Sequence, residues 1–289
     1  MCDWASIWPT KLSGKYEPVR LLHCGERSTI VQAQDSSGGA VAVKLAITKN
    51  GNVAISKLRK ALASEADLLK RISDNKIVRL TEADPDGLYI VLEFLAGGSL
   101  FERYSSRRPT PRQALQCISM VAEALHSLHD AGFLHLDLKP RNILFRDLTI
   151  TRPVIIDFGS ARPVDRPIGS GTIDPAMLGS GRYLFKAPEQ LIRNGETFDV
   201  QTDAFALGVT LYWLLHGTAP FSNTSKVAAV AHKKFHQEYK AAIASCRAMD
   251  LPGCLLSLVE HLLAIETSDR ASGLGQIAQA LRRCGEAAK

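Results

Sequence analysis

Residues 135–142 read His-Leu-Asp-Leu-Lys-Pro-Arg-Asn, and Asp157-Phe158-Gly159 follows fifteen residues after Asn142. A carboxylate, an ammonium and an amide in eight residues, with a second carboxylate nearby, suit the transfer of a phosphoryl group to a hydroxyl. Asp137 is spaced to accept the hydroxyl proton. Lys139 is spaced to neutralise the phosphoryl group in flight. Asn142 and Asp157 offer oxygen ligands, the donors that a hard cation such as Mg²⁺ prefers.

These groups need elements to hold them. Upstream, Tyr16 to Leu22, Ile30 to Gln34 and Ala40 to Leu45 are β-branched or apolar runs separated by turn residues, and they predict strands. A helix is expected from about Ser56 to Ile72, where Leu58, Ala61, Leu62, Leu68, Leu69 and Ile72 recur at helical spacing. Glu65 lies on that apolar stripe. A carboxylate facing a core needs a cation, because an unpaired buried charge is costly. Lys44, inside the apolar run Val41-Ala-Val-Lys-Leu45, is the natural partner. Two more strands are expected at Ile77 to Leu80 and Leu88 to Phe94, before a break at Gly97-Gly98. Beyond it, helical patterns dominate at Gln113 to Ala131, Asp203 to His216 and Leu255 to Ile265. The expectation is an α+β, bilobal chain: a flank at 1–15, a small β-rich N-lobe and hinge at 16–95, and a larger helical C-lobe at 96–289. A cleft between lobes is a normal ligand site.

Composition excludes several classes. With 289 residues and 46% apolar content, the chain can bury a sizeable core, and 22% charged residues is an ordinary globular share. The net charge of +6 is spread along the chain. Its densest basic group, Arg103, Arg107, Arg108 and Arg112, reads as a solvated face rather than a nucleic-acid or acidic-lipid surface. Six cysteines without CxxC spacing argue against zinc and against a disulfide framework, and reduced, mostly packed thiols are expected. No run approaches the roughly 18 apolar residues of a membrane span, and the N-terminus does not read as a secretory signal. A soluble, cytoplasmic protein is expected, with a secreted effector not excluded. Neither nucleic acid nor membrane is expected as a partner, and the sequence does not specify an oligomeric state.

From about Tyr16 to Arg283 the chain resembles a eukaryotic-type (Hanks-type) protein Ser/Thr kinase domain, with a bacterial member among the readings. The resemblance implies ATP and Mg²⁺, with Mn²⁺ as an alternative, and protein substrates with Ser/Thr acceptors. It assigns Lys44 to the nucleotide phosphates and Glu65 to holding Lys44. It assigns Asp137 and Lys139 to catalysis and Asn142 and Asp157 to the metal. Gly25 falls in the phosphate-covering loop. Ile30, Ala42 and Leu144 would sandwich adenine. Leu92 would be the gatekeeper, the backbones of Glu93 and Leu95 would meet the adenine edge, and Ser99 would meet the ribose. Glu189 of Ala187-Pro-Glu189 should pair with Arg270, and Asp203 should brace the catalytic loop. Leu69, Leu80, His135 and Phe158 would form an apolar column. Lys139, two residues after Asp137, points to Ser/Thr rather than Tyr acceptors.

The chain also departs from that pattern. In His23-Cys-Gly25-Glu-Arg-Ser28-Thr-Ile30 only Gly25 survives of the usual glycines, and His23 reads as a strand-end surface residue. Cys24 would lie near the ATP phosphates, with inert packing preferred over a redox role. Leu136 stands where many kinases carry an arginine that meets an activation-loop phosphate, so strict dependence on that phosphorylation is not expected. Arg182 takes the place of a usual Thr that touches the catalytic Asp and Lys. Arg141 replaces a frequent Glu and makes a preference for basic peptides unexpected. Ser170, Thr172 and Ser180 are candidate autophosphorylation sites. The alternative to an enzyme is a pseudokinase serving as an ATP-binding or scaffold module, favoured by the worn glycine loop and Arg182. A small-molecule kinase of the aminoglycoside type is disfavoured by the Asp-Phe-Gly and Ala-Pro-Glu motifs.

Overall fold

The computed structural model describes residues 8–25, 28–47, 54–148, 152–164, 184–191, 198–221, 228–249, 251–271 and 273–287. The chain divides into two compact units, one up to Ala96 and one from Gly97.

The first unit is built on five antiparallel strands: β1 (Tyr16–Cys24), β2 (Thr29–Asp35), β3 (Ala40–Leu45), β4 (Leu80–Ala83) and β5 (Tyr89–Glu93). Their order in the sheet is β1-β2-β3-β5-β4. Because side chains alternate along a strand, β2 and β3 present two different faces. Val31, Ala33, Val41, Val43 and Leu45 form one core with Leu12, Tyr16, Tyr89 and Val91. Lys44 and Ala42 point the other way. Lys44 lies opposite Ile30 on β2 and Ile90 on β5, and Ala42 lies opposite Leu92. Helix α1 (Ile55–Arg71) buries Leu58, Leu62, Glu65, Ala66, Leu68 and Leu69 and packs on β4 and β5.

One strand differs from expectation. The run Ile77 to Leu80 contributes only Leu80 to β4, which continues through Thr81 and Glu82 to Ala83. Ile77 and Val78 are buried by packing, so their apolar character marks burial rather than pairing. The polar residues of the edge strand are used instead: Glu82 accepts hydrogen bonds from Tyr16 and Tyr89, each at 3.0 Å, and pairs with Lys15.

The second unit is mainly helical. It contains α2 (Leu100–Tyr104), α3 (Pro111–Asp130), α4 (Pro188–Leu191), α5 (Val200–His216), α6 (Ala228–Ala248), α7 (Gly253–Leu262) and α8 (Leu274–Ala287). Short strand pairs β6 (Phe133–Leu134) with β9 (Arg162–Pro163), and β7 (Ile143–Phe145) with β8 (Pro153–Ile155), flank the loop at 135–142. Helix α3 starts on a capping box, Thr110 with Gln113, with Pro111 in the first turn. It packs on α5 and α8. Every residue of α5 from Thr202 to Leu214 is buried, as befits a helix that is apolar all round. Gly208 permits that burial, because a Cβ there would lie 2.6 Å from Cβ of Leu262 on α7. Arg103 is not part of a solvated basic face. Its guanidinium donates to the Gly97 carbonyl at 2.7 Å and covers the Phe145 ring. Arg107, Arg108 and Arg112 are exposed.

The cysteines correct another expectation. Cys117 and Cys246 are free and buried, but Cys254 and Cys284 are joined in a disulfide across α7 and α8. Cys24 is also disulfide-bonded, with its partner outside the described residues. Cys254 and Cys284 are 30 residues apart. Helix packing brings their Cα atoms to 6.1 Å, within bridging range, and sequence spacing carries no trace of that.

Candidate active site

In the first unit, Lys44 Nζ donates to both carboxylate oxygens of Glu65, at 2.9 and 2.7 Å. The lysine comes from β3 and the glutamate from the buried stripe of α1, and both side chains are at least nine-tenths buried. Each charge therefore compensates the other's desolvation, the condition under which a buried pair persists. Ile30, Ala42, Lys44 and Leu92 share one sheet face. At the end of β5 the Glu93 N–H donates to the Arg79 carbonyl at 3.0 Å. Leu95, two residues on, is buried, and its N–H finds no hydrogen-bond partner among the described residues. A buried N–H in that state suits a ligand acceptor.

The turn at the β1–β2 connection is closed by a hydrogen bond from the Gly25 N–H to the Ser28 carbonyl, 3.0 Å. A Cβ at Gly25 would fall 2.5 Å from Nε2 of His23, the far end of a side chain that a larger residue here would displace. His23 itself is exposed at the strand end. Residues 26 and 27, the middle of the expected phosphate loop, lie outside the described residues.

In the second unit the loop at 135–142 is braced from beneath. Asp203, in the first turn of α5, is fully buried. It accepts from the backbone N–H groups of His135 and Leu136, each at 2.8 Å, and from His129 Nε2 at 2.9 Å. Burial alone would raise the Asp203 carboxyl, but the His129 hydrogen bond and the surrounding positive dipoles outweigh it and hold it below its ordinary value. The His135 imidazole is pushed down by burial and stays neutral. Its Nδ1 accepts from the Asp137 N–H at 3.2 Å, so its Nε2 carries the proton donated to the Ile156 carbonyl, also 3.2 Å. Its ring meets Phe158 edge-on at 5.1 Å.

The loop presents Asp137 between cations. Oδ2 accepts from Lys139 Nζ at 2.6 Å and from Asn142 Nδ2 at 3.1 Å. Oδ1 lies 2.8 Å from Nζ of Lys186. Burial would raise the Asp137 carboxyl, but Lys186 and then Lys139 prevail, and the group is held low. It is therefore a carboxylate at neutral pH. Asn142 also donates to the Asp137 carbonyl at 2.8 Å. Both amide hydrogens are thus engaged, and Oδ1 of Asn142 has no partner among the described residues. Asp157 follows Ile156, whose N–H donates to the Asn142 carbonyl at 2.9 Å. Asp157 takes the left-handed conformation, φ 65°, a strained choice for a non-glycine residue and one that clusters at functional sites. An amide oxygen and a carboxylate, adjacent along this backbone link, fit a hard divalent cation that completes its shell with phosphate and water oxygens. No cluster of three or more His, Cys, Asp or Glu suited to a metal occurs among the described residues.

Ser99, expected at a ribose, is engaged locally. Ser99 caps α2: its hydroxyl donates to Glu102 at 2.9 Å and accepts from the Glu102 N–H at 3.1 Å. It is buried in that capping box, so its O–H proton is spent on the helix and only a lone pair remains to accept from another group. Leu144 is only half-buried and bridges Ser99. The Arg141 guanidinium stacks on the Phe101 ring at 3.8 Å. Arg182 and the serines and threonine at 170, 172 and 180 lie outside the described residues.

Glu189 and Arg270 form a two-pronged ion pair, 2.6 and 2.8 Å, with essentially no exposure. Thr202 donates to Glu189 at 2.9 Å, and Arg270 also donates to the carbonyls of Ala264 and Ile265, each at 2.7 Å. Three site residues carry no assignment from sequence: His129, Lys186 and Gln190. Their only sequence signal is proximity to motifs, Lys186 and Gln190 flanking Ala187-Pro-Glu189.

A protein kinase domain model matches residues 16–283. The calcium/calmodulin-dependent protein kinase cmkA of Emericella nidulans is 33% identical over 249 residues, 79% of this chain and 57% of that protein. The serine/threonine-protein kinase ULK3 of Homo sapiens is 31% identical over 275 residues, 91% of this chain and 54% of that protein. The probable serine/threonine-protein kinase PknB of Corynebacterium glutamicum is 33% identical over 239 residues, 78% of this chain and 35% of that protein. The chain thus spans about half the length of the first of these curated relatives.

Proposed function

The chain belongs to the protein kinase domain family, and from that premise we propose that it transfers the γ-phosphoryl group of ATP to Ser and Thr hydroxyls of protein substrates. The observation that carries this reading is the Asp137 carboxylate, ionised and held by Lys139 and Asn142 while the Asn142 amide oxygen is left open. In the reaction the acceptor oxygen forms a bond to the γ-phosphorus. The bond from that phosphorus to the β-phosphate oxygen breaks, its electron pair leaving with ADP, and the hydroxyl proton passes to Asp137. Lys139 offsets charge on the moving group. Lys44, held by Glu65, grips the nucleotide phosphates. In the first unit, Ile30, Ala42 and Leu92 on their shared face would meet the adenine, with the backbones of Glu93 and Leu95 at its edge, and the family resemblance assigns a further adenine contact to Leu144 of the second unit. Asn142 Oδ1 and Asp157 would hold a divalent cation, which when bound neutralises phosphate charge; the oxygen donors favour Mg²⁺, with Mn²⁺ as the alternative.

Leu136 is buried and apolar. It has no charge for an activation-loop phosphate to satisfy, so activity does not require that modification. ATP as donor ties the activity to a cytoplasm, that of the producing cell or of one into which the protein is delivered. No described helix is long and apolar enough to cross a membrane.

The test is transfer from radiolabelled ATP to protein substrates by phosphatase-treated enzyme, followed by identification of the labelled residue. Labelled Ser and Thr are expected. Asp137→Asn should lower kcat by roughly 10²–10⁴, the usual worth of a general base, with nucleotide affinity retained. Near-normal transfer by that variant would exclude Asp137 as the base, and silence of the wild type would leave the chain a binding module.

A further inference from the structure

Lys186 lies two residues before Pro188, where α4 begins, and its ammonium reaches back to the catalytic loop. It donates to the Leu136 carbonyl and pairs with Asp137 Oδ1 at 2.8 Å. Gln190, one helical step on, donates to the same carbonyl at 3.0 Å. Leu136 needs such support. Its φ of 60° is a costly conformation for a leucine and persists only where surroundings over-determine it. The Leu136 N–H is held by Asp203 and its carbonyl by Lys186 and Gln190.

The carboxylate geometry then decides which oxygen works. A carboxylate oxygen has two lone-pair sites. Oδ2 of Asp137 fills both, with Lys139 and Asn142. Oδ1 has one described partner, Lys186, and so keeps one site for an incoming hydroxyl. An ammonium has three N–H groups. Lys186 uses one on Oδ1 and one on Leu136, and the third has no partner among the described residues. Its side chain retains 16% exposure, enough for a substrate to reach it.

We propose that Lys186 is a positioning residue for phosphoryl transfer: it orients Asp137 so that Oδ1 is the proton-accepting atom, and it flanks the acceptor hydroxyl. In this role it supplies, without any modification, a fixed cation linking the end of the activation segment to the catalytic loop. The proposal rests on Asp137 serving as the base in the proposed reaction.

The experiment compares wild type, Lys186→Met and Lys186→Arg in steady-state transfer to one Ser/Thr peptide, with affinity for a non-hydrolysable ATP analogue measured alongside. Lys186→Met should lower kcat about 100-fold, the effect of an ångström-scale misplacement at a reacting centre. KM for ATP and analogue affinity should stay within about twofold, far less than the kcat effect. Lys186→Arg, which keeps a cation and several donors, should recover most of the loss. Retained analogue affinity shows that the variants fold. An unchanged kcat in Lys186→Met overturns the proposal, and so does a rise, which would mean that the ammonium blocks the acceptor. Equal loss in Lys186→Arg also overturns it, since a packing role would give that pattern. An inactive wild type with intact analogue binding overturns the proposed reaction and this inference together. An active wild type with an unaffected Lys186→Met overturns the inference alone.

Discussion

At Asp137, burial and two lysines pull in opposite directions, and the lysines win. The same balance governs Lys44 and Glu65, where a strand and a helix each contribute one charge to an apolar setting. Charges in apolar runs were legible in the sequence because burying one alone is so costly that a partner must exist. That cost yields a prediction. Lys44→Met should destabilise the fold by about 3–5 kcal/mol, because Glu65 is then buried without its cation. The double variant Lys44→Met/Glu65→Leu should regain much of it. Urea unfolding reads both, and a single variant as stable as wild type would mean the pair is dispensable. Lys186 was not legible in the same way. A lysine beside Ala-Pro-Glu looks like any exposed cation until the turn before α4 directs it at the loop 135–142.

The elements show where periodicity is a good guide. Helices α1 and α3 follow from their apolar spacing and α5 from its nearly unbroken apolar run, and their observed bounds lie close to the expected ones. Helices α2, α4, α6 and α8 have no counterpart in the sequence reading. Five-residue α2 is too short to display a period and is marked only by its Ser99–Glu102 capping box. The helices also depend on a pairing that no period reveals, Glu189 of α4 with Arg270 beyond α7. Arg270→Ala should cost about 3–5 kcal/mol, as removal of one partner from a buried pair does. The measurement is the unfolding midpoint in urea. A shift equivalent to less than about 1 kcal/mol, the scale of an exposed pair, would show that water replaces the arginine.

Over the whole molecule, several carboxylates are held below their ordinary range. Burial raises Asp84, but the Leu88 N–H and Lys11 outweigh it. Glu82 is likewise raised by burial and lowered further by Lys15 and the two tyrosines, and Asp203 is held down by His129. A depressed folded value means that stability is present above the unfolded value, about 3.9 for Asp, and is lost as pH falls through the folded one. Asp199 opposes this trend, since its burial raises it. Stability should therefore hold from neutral pH to about 5 and fall below about 4, the range in which Asp and Glu take up protons. Asp84→Asn should shrink that loss. Thermal midpoints between pH 7 and 3 would show it, and an identical acid limb in the variant would remove Asp84 from the explanation.

The sequence by itself determined the family and the division into a β-rich and a helical unit, and it singled out Lys44, Glu65, Asp137, Asn142 and Asp157, whose roles are proposed above. It could do so because charge, amide and apolar period are properties of residue type and spacing. The tertiary structure decided what depends on distance between remote residues. It committed the Ser99 hydroxyl to a helix cap, joined Cys254 to Cys284, and brought Lys186 to Asp137. Such contacts arise from how helices and turns pack, and a linear chain carries no record of which of its many cations will be folded against Asp137.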